Sequence, residues 1–168
     1  MGSMDALHDA FERVRDAVHP AANGLTEEEL TFRVDPEANS IAWLVWHLTR
    51  IQDDHVSGLS GSPQVWTDGH WFERFDLPFD VSDTGYGHDP DAVAAVRVDA
   101  ASLLAYFEDV HTATTAYLGT LTETDLDRVV DTGWDPPVTV GVRLVSVIAD
   151  DLQHVGQAAF IRGIVHRR

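Results

Sequence analysis

The chain of 168 residues is 44% hydrophobic and 23% charged, proportions that suit one folded domain and exclude a disordered chain. Twenty-eight Asp and Glu against 11 basic residues give a net charge of -17, a field that repels nucleic acid and anionic membranes. All the basic residues are Arg and there is no Cys, which rules out lysine Schiff-base chemistry, a protein thiol nucleophile, disulfides and thiolate metal ligands.

No apolar run reaches the roughly 18 residues that cross a bilayer, and the N-terminus lacks a signal-peptide pattern, so the expected location is the cytoplasm. Gly2-Ser3 ahead of a second methionine reads as a cloning remnant, which puts a single domain over residues 4–168.

Along residues 5–22, Leu7, Ala10, Phe11, Val14, Ala17 and Val18 recur at helical spacing, with Pro20 and Gly24 marking the end. Thr26-Glu27-Glu28-Glu29 has the form of a capping box and predicts a short helical turn. Ser40 is the expected cap of a second long helix, with Ile41, Leu44, Val45, Leu48 and Ile51 as its buried stripe and Ser57-Gly58 as its end. Periodicity is then lost to about His88, over a glycine- and proline-punctuated connection carrying Trp66, Trp71, Phe72, Phe75 and Phe79. A connection of this length is a crossover that packs onto the body and is a candidate pocket wall.

Asp89-Pro90 predicts the start of a third helix of about 30 residues, with Val93, Val96, Ala100, Leu103, Leu104, Phe107, Val110, Thr114 and Leu118 on one face. A second Thr-led turn at Thr122 and a short extended hairpin over 129–140 lead into the last helix, expected over 142–165. The fold class is therefore all-α, a four-helix bundle with a long crossover between the second and third helices.

On the last helix Val147, Asp150, His154, Gln157 and Ile161 follow a 3-4-3-4 spacing and share one seam, so a carboxylate and an imidazole stand one turn apart. His47, between Leu44 and Ile51, points into the bundle from the second helix. His47, Asp150 and His154 make a ligand set suited to zinc, nickel or manganese. The same residues also suit a buried ion pair between an Asp and His154, and spacing alone leaves the two open.

The segments Ser40-Ile41-Ala42-Trp43-Leu44-Val45-Trp46-His47-Leu48, Asp150-Asp151-Leu152-Gln153-His154-Val155-Gly156-Gln157 and Arg162-Gly163 resemble the DinB/YfiT-like superfamily. That superfamily includes mycothiol-dependent maleylpyruvate isomerases and bacterial thiol S-transferases, and the resemblance covers nearly the whole chain. It implies a four-helix bundle with a divalent metal at its centre, held here by His47, Asp150 and His154. Where the isomerase branch carries Glu at the middle position this chain has Asp, shorter by one methylene.

The resemblance implies a metal-dependent transferase that activates a low-molecular-weight thiol for conjugation to small electrophiles, in a detoxifying role. Mycothiol is the expected thiol, because an Arg-rich, Lys-free composition fits an actinobacterium. The alternatives are a mycothiol-dependent cis/trans isomerase and a non-catalytic metal-binding stress protein. Candidate substrate contacts are Gln157, Arg50, His55, Trp66 and Trp71, with Arg74 and Arg143 as further cations for a dicarboxylate. His8, His19, His70, His88, His111 and His166 share no ligand spacing and are expected at the surface. The expected partners are small molecules, and a homodimer is among the assemblies open to the chain.

Overall fold

A computed structural model describes residues 2–167. Four long helices, α1 (Ser3–Ala22), α3 (Ile41–Ser60), α7 (Ala100–Leu118) and α8 (Val140–Val165), form the bundle. Helices α1 and α3 lie diagonally, each packing against both α7 and α8. Between them run α2 (Glu27–Leu30), α4 (Val65–Asp68), α5 (Trp71–Phe75) and α6 (Pro90–Ala95). Ahead of α8 come a 3-10 turn (Glu123–Asp127) and strands β1 (Val129–Asp131) and β2 (Val138–Thr139). The strands pair antiparallel, Val129 opposite Thr139 and Asp131 opposite Val138. Among the described residues no helix is long and apolar enough to cross a membrane.

Local chemistry sets the boundaries, and several differ from the sequence expectations. Helix α1 begins at Ser3, inside the stretch read as a cloning remnant, because Glu123 Oε1 accepts the Ser3 N–H at 2.8 Å and ties the helix start to the 3-10 turn. Met1 lies outside the described residues. The capping box at Thr26 is present in both directions, its N–H on Glu29 Oε2 at 2.8 Å and its hydroxyl accepting the Glu29 N–H at 3.3 Å. Helix α3 passes through Gly58 and stops at Gly61, whose φ of +73° is the left-handed cap conformation. A helical glycine costs about 1 kcal/mol relative to alanine but does not by itself end a helix.

The expected 30-residue third helix is two helices. Val96 and Val98 are both buried while Arg97, between them, reaches out to pair with Glu27 at 2.6 Å. That alternation requires extended backbone, since residues two apart on a helix point about 200° away from each other. Asp99 then caps α7 by accepting the Ser102 N–H at 2.9 Å. Helix α8 starts two residues early because the Thr139 hydroxyl accepts the Val142 N–H.

The crossover is fastened to the bundle by its aromatics. Trp66, Trp71 and Phe75 surround the fully buried Tyr106 of α7, at ring-centre distances of 5.2, 5.7 and 5.7 Å. Beneath them the Asp53 carboxylate of α3 accepts the Val65 N–H at 2.9 Å, the Trp66 N–H at 2.7 Å and the Tyr106 hydroxyl at 2.8 Å. This satisfies the open donors at the start of α4 and returns the crossover over the face of α3.

Candidate metal centre

The first two turns of α3 are buried on every side, so His47 has no solvent-facing choice and is directed at α8. On α8, Asp150 and His154 stand one turn apart on the seam that meets it. One ligand atom from each of His47, Asp150 and His154 lies within 4.8 Å of the other two. Asp150 Oδ1 is 3.5 Å from His154 Nε2, and the two imidazole rings meet edge to face at 4.8 Å.

The surroundings fix the rings. His47 Nδ1 donates to the Thr84 carbonyl at 2.5 Å, so the lone pair is left on Nε2, the form a metal takes. Trp43 stacks on His47, with centres 4.6 Å apart and planes at 13°, and stands edge-on to His154. Trp43 Nε1 donates to His88 Nδ1 at 3.1 Å, so His88 carries its proton on Nε2 and donates it to Asp83, also at 3.1 Å. Gly85 closes the wall at φ +88°, where an added Cβ would stand 2.8 Å from Trp46 and 3.0 Å from His47 Nδ1. Only glycine fits that conformation and that approach.

Burial pushes the His47 pKa down, and the proximity of His154 adds to this against the Thr84 bond and Asp150, which keeps the imidazole neutral and able to coordinate. Burial works to raise the Asp150 carboxyl, but the contact with His154 and the charges of His154, His47 and His55 prevail and hold it below the usual carboxylate range. Asp150 Oδ2 and His154 Nδ1 are buried with no hydrogen-bond partner among the described residues. Buried polar atoms are rarely left so, and two imidazoles with one carboxylate match the donors that zinc and neighbouring divalent metals take. The residues present therefore fit a divalent ion.

The structure separates the two adjacent carboxylates. Asp150 faces His47 and His154, whereas Asp151 is fully buried with neither oxygen bonded among the described residues. Burial, with the charge of Asp150 beside it, drives the Asp151 pKa well above its ordinary value.

Of the proposed substrate contacts, His55 is half-buried at a cleft of about 350 Å³ that it lines with Asp54, Gly58, Leu59, Val130 and Arg143. Burial and Arg143 lower its pKa against the pull of Asp54 and Asp150, which places it in the field of the Asp150 carboxylate. Gln157 is exposed and lines a separate groove with Leu44, Gln153 and Phe160.

Arg50, Trp66 and Trp71 require correction. Trp66 and Trp71 are core residues packed on Tyr106, and Arg50 is wholly buried with Nε on Asp83 and Nη1 on Gln64 and Tyr106. None of the three offers a free face to a substrate. His88 and His111 are likewise not surface residues: His88 is stacked on Trp46, and His111 is buried with Nε2 3.0 Å from Glu12. The sequence sign of His88 was its place after Asp83, Gly85 and Gly87, a loop whose two glycines both take positive φ.

The family model of the DinB superfamily matches residues 10–158. A crystal structure of a conserved protein from Enterococcus faecalis superposes with a TM-score of 0.92 at 31% sequence identity, covering 100% of this chain and 99% of the other. A comparison with curated proteins gives no match. With the family model spanning most of its length and the bundle reproduced throughout, the chain belongs to the DinB superfamily.

Proposed function

We propose that the protein binds one divalent metal ion, zinc in the first instance and nickel or manganese as alternatives, through His47, Asp150 and His154, and transfers a low-molecular-weight thiol to small electrophiles. The observation that carries this reading is the convergence of three donors from α3 and α8 with buried polar atoms of Asp150 and His154 left unpartnered. A zinc ion held there supplies the Lewis acidity that lowers the pKa of a thiol from about 8.5 toward neutrality. The chain holds no cysteine, so the sulfur comes from a co-substrate. In the transfer its sulfur forms the new bond to the electrophilic carbon, the S–H proton passes to solvent, and the bond from that carbon to its leaving group, chloride in the test below, breaks.

The protein's own residues shape that encounter. Trp43 and the loop around Thr84 hold the His47 ring in place, and His55, which feels the Asp150 charge, lines a cleft with Arg143. Mycothiol is the proposed thiol, on the Lys-free composition of actinobacterial kind, and the cytoplasm is the proposed compartment. Transfer is favoured over isomerisation of a dicarboxylate because the cations that reaction needs are engaged elsewhere. Arg50 is buried, Arg74 lies 4.6 Å from the Trp71 ring centre, and Arg143 pairs with Asp131 at 3.3 Å.

The test is consumption of mycothiol with 1-chloro-2,4-dinitrobenzene by zinc-loaded and chelator-stripped protein. Conjugate formation should fall at least about tenfold on stripping and return on reloading, since a positioned Lewis acid contributes several kcal/mol to such a step. Metal uptake without turnover, across mycothiol, bacillithiol and glutathione, would contradict the transferase reading and leave a metal-binding protein.

A further inference from the structure

The tautomer of His47 depends on one backbone carbonyl, that of Thr84, which sits in a loop between two short turns. Nothing in a loop of itself stops such a carbonyl from rotating away. Here it is pinned on both sides. Before it, Arg50 Nε donates to the Asp83 carbonyl at 3.1 Å. After it, the Asp83 carboxylate accepts the Gly85 N–H at 2.7 Å and also holds His88 Nε2 at 3.1 Å. His88 in turn accepts from Trp43, the residue stacked on His47.

Arg50 stands three residues beyond His47 on α3, so both side chains reach the same loop from one face of one helix. It is fully buried and has a second set of anchors that fix its own position. Nη1 donates to Gln64 Oε1 at 2.9 Å and lies 3.6 Å from the Asp53 carboxylate, and the guanidinium is 5.0 Å from the Trp66 ring centre. A buried guanidinium held at Nε by the loop and at Nη1 by Gln64 and Asp53 makes a rigid strut between them.

We propose that Arg50 and Asp83 are positioning residues of the metal centre: together they clamp the Asp83-Thr84-Gly85 backbone so that the Thr84 carbonyl selects the His47 tautomer that presents Nε2. Arg50 acts only through this loop and touches neither the ligand atoms nor a substrate. The consequence for affinity rests on the metal-binding reading above, whereas the consequence for the tautomer is a property of the protein alone.

Two measurements on each variant test the clamp. The first is the long-range proton–nitrogen correlation of the His47 ring in 15N-labelled, chelator-stripped protein, and the second is zinc affinity by competition with a chromophoric chelator. Wild type should show His47 protonated at Nδ1. Arg50→Lys keeps the charge beside Asp53 but loses the fork, and Asp83→Ala removes the carboxylate while leaving Arg50 its contacts with Gln64 and Asp53. Both should give a mixture of His47 tautomers and weaken zinc binding about 10–100-fold, the usual effect of losing an orienting partner behind a ligand.

Should Arg50→Lys fail to fold, Asp83→Ala decides whether the loop sets the tautomer, because alanine keeps the backbone carbonyl that Arg50 holds and removes only the carboxylate anchor on Gly85 and His88. An unchanged His47 tautomer in folded Asp83→Ala overturns the proposal whatever the affinity, since a purely structural role would lower stability and leave the ring as it was. A shifted tautomer with unchanged zinc affinity overturns it as well. If wild type binds no zinc, the metal reading fails while the tautomer comparison still decides the clamp.

Discussion

Asp150→Ala is expected to weaken zinc binding by more than about 100-fold, and Asp151→Asn, one residue away, to leave it within a few-fold of wild type. The first substitution removes one of the three donors that converge among the described residues, and the proposed loss is larger than the 10–100-fold typical of a residue behind a ligand. The second changes a carboxyl that lies in the bundle interior and faces neither histidine. Asp151→Asn should instead show itself in stability. Burial holds the folded-state pKa of Asp151 above the unfolded value of about 3.9, so the folded chain keeps a proton that the unfolded chain releases. The sign follows: stability is greatest below the unfolded pKa and declines as pH rises from there. Asparagine removes that decline. In metal-stripped protein the variant should gain steadily on wild type from pH 5 to pH 8. Urea unfolding across that range measures it, and a gap that stays constant with pH would contradict the assignment. Loss of zinc from Asp151→Asn with retention in Asp150→Ala would reverse the roles of the two residues.

Asp53→Ala should be the most damaging single change to the fold. It takes the acceptor from the Val65 and Trp66 amides and from the Tyr106 hydroxyl, and it leaves the Arg50 guanidinium without its carboxylate. Removing one member of a buried charged pair costs about 3–5 kcal/mol. For a domain of this size that corresponds to a fall in Tm of about 6–20 °C. Thermal and urea unfolding followed by tryptophan fluorescence report it directly, because Trp66 sits on the affected segment. A loss under about 1 kcal/mol would mean that the crossover is held by its aromatic packing and not by this carboxylate.

The features legible in the sequence are those with a local period. Four amphipathic stretches gave the bundle helices, and one-turn spacing on α8 with an apolar-faced histidine on α3 gave the three converging donors. What local spacing does not encode is approach from a distant segment. Asp83, Thr84 and His88 reach Arg50, His47 and Trp43 from 33, 37 and 45 residues away along the chain, through a loop whose course is set by two positive-φ glycines and by ring stacking. For the same reason Arg50 looked like a free cation one turn from His47, although its hydrogen-bond partners come from the crossover and α7 and its carboxylate, Asp53, from the next turn of α3. The break between α6 and α7 was hidden by coincidence, since Val93, Val96 and Ala100 keep helical spacing across it. The Asp99-to-Ser102 cap was its local sign.

The central claim is that His47, Asp150 and His154 form a metal site and not a structural polar cluster. The most direct measurement is the stoichiometry and affinity of zinc, nickel and manganese for chelator-stripped protein, with wild type and His154→Ala side by side. The account predicts one ion per chain in wild type and loss of that ion in the variant, with the helical circular dichroism of both unchanged. Absence of saturable binding in wild type, or an equal affinity in His154→Ala, would contradict it and return the three residues to a structural role.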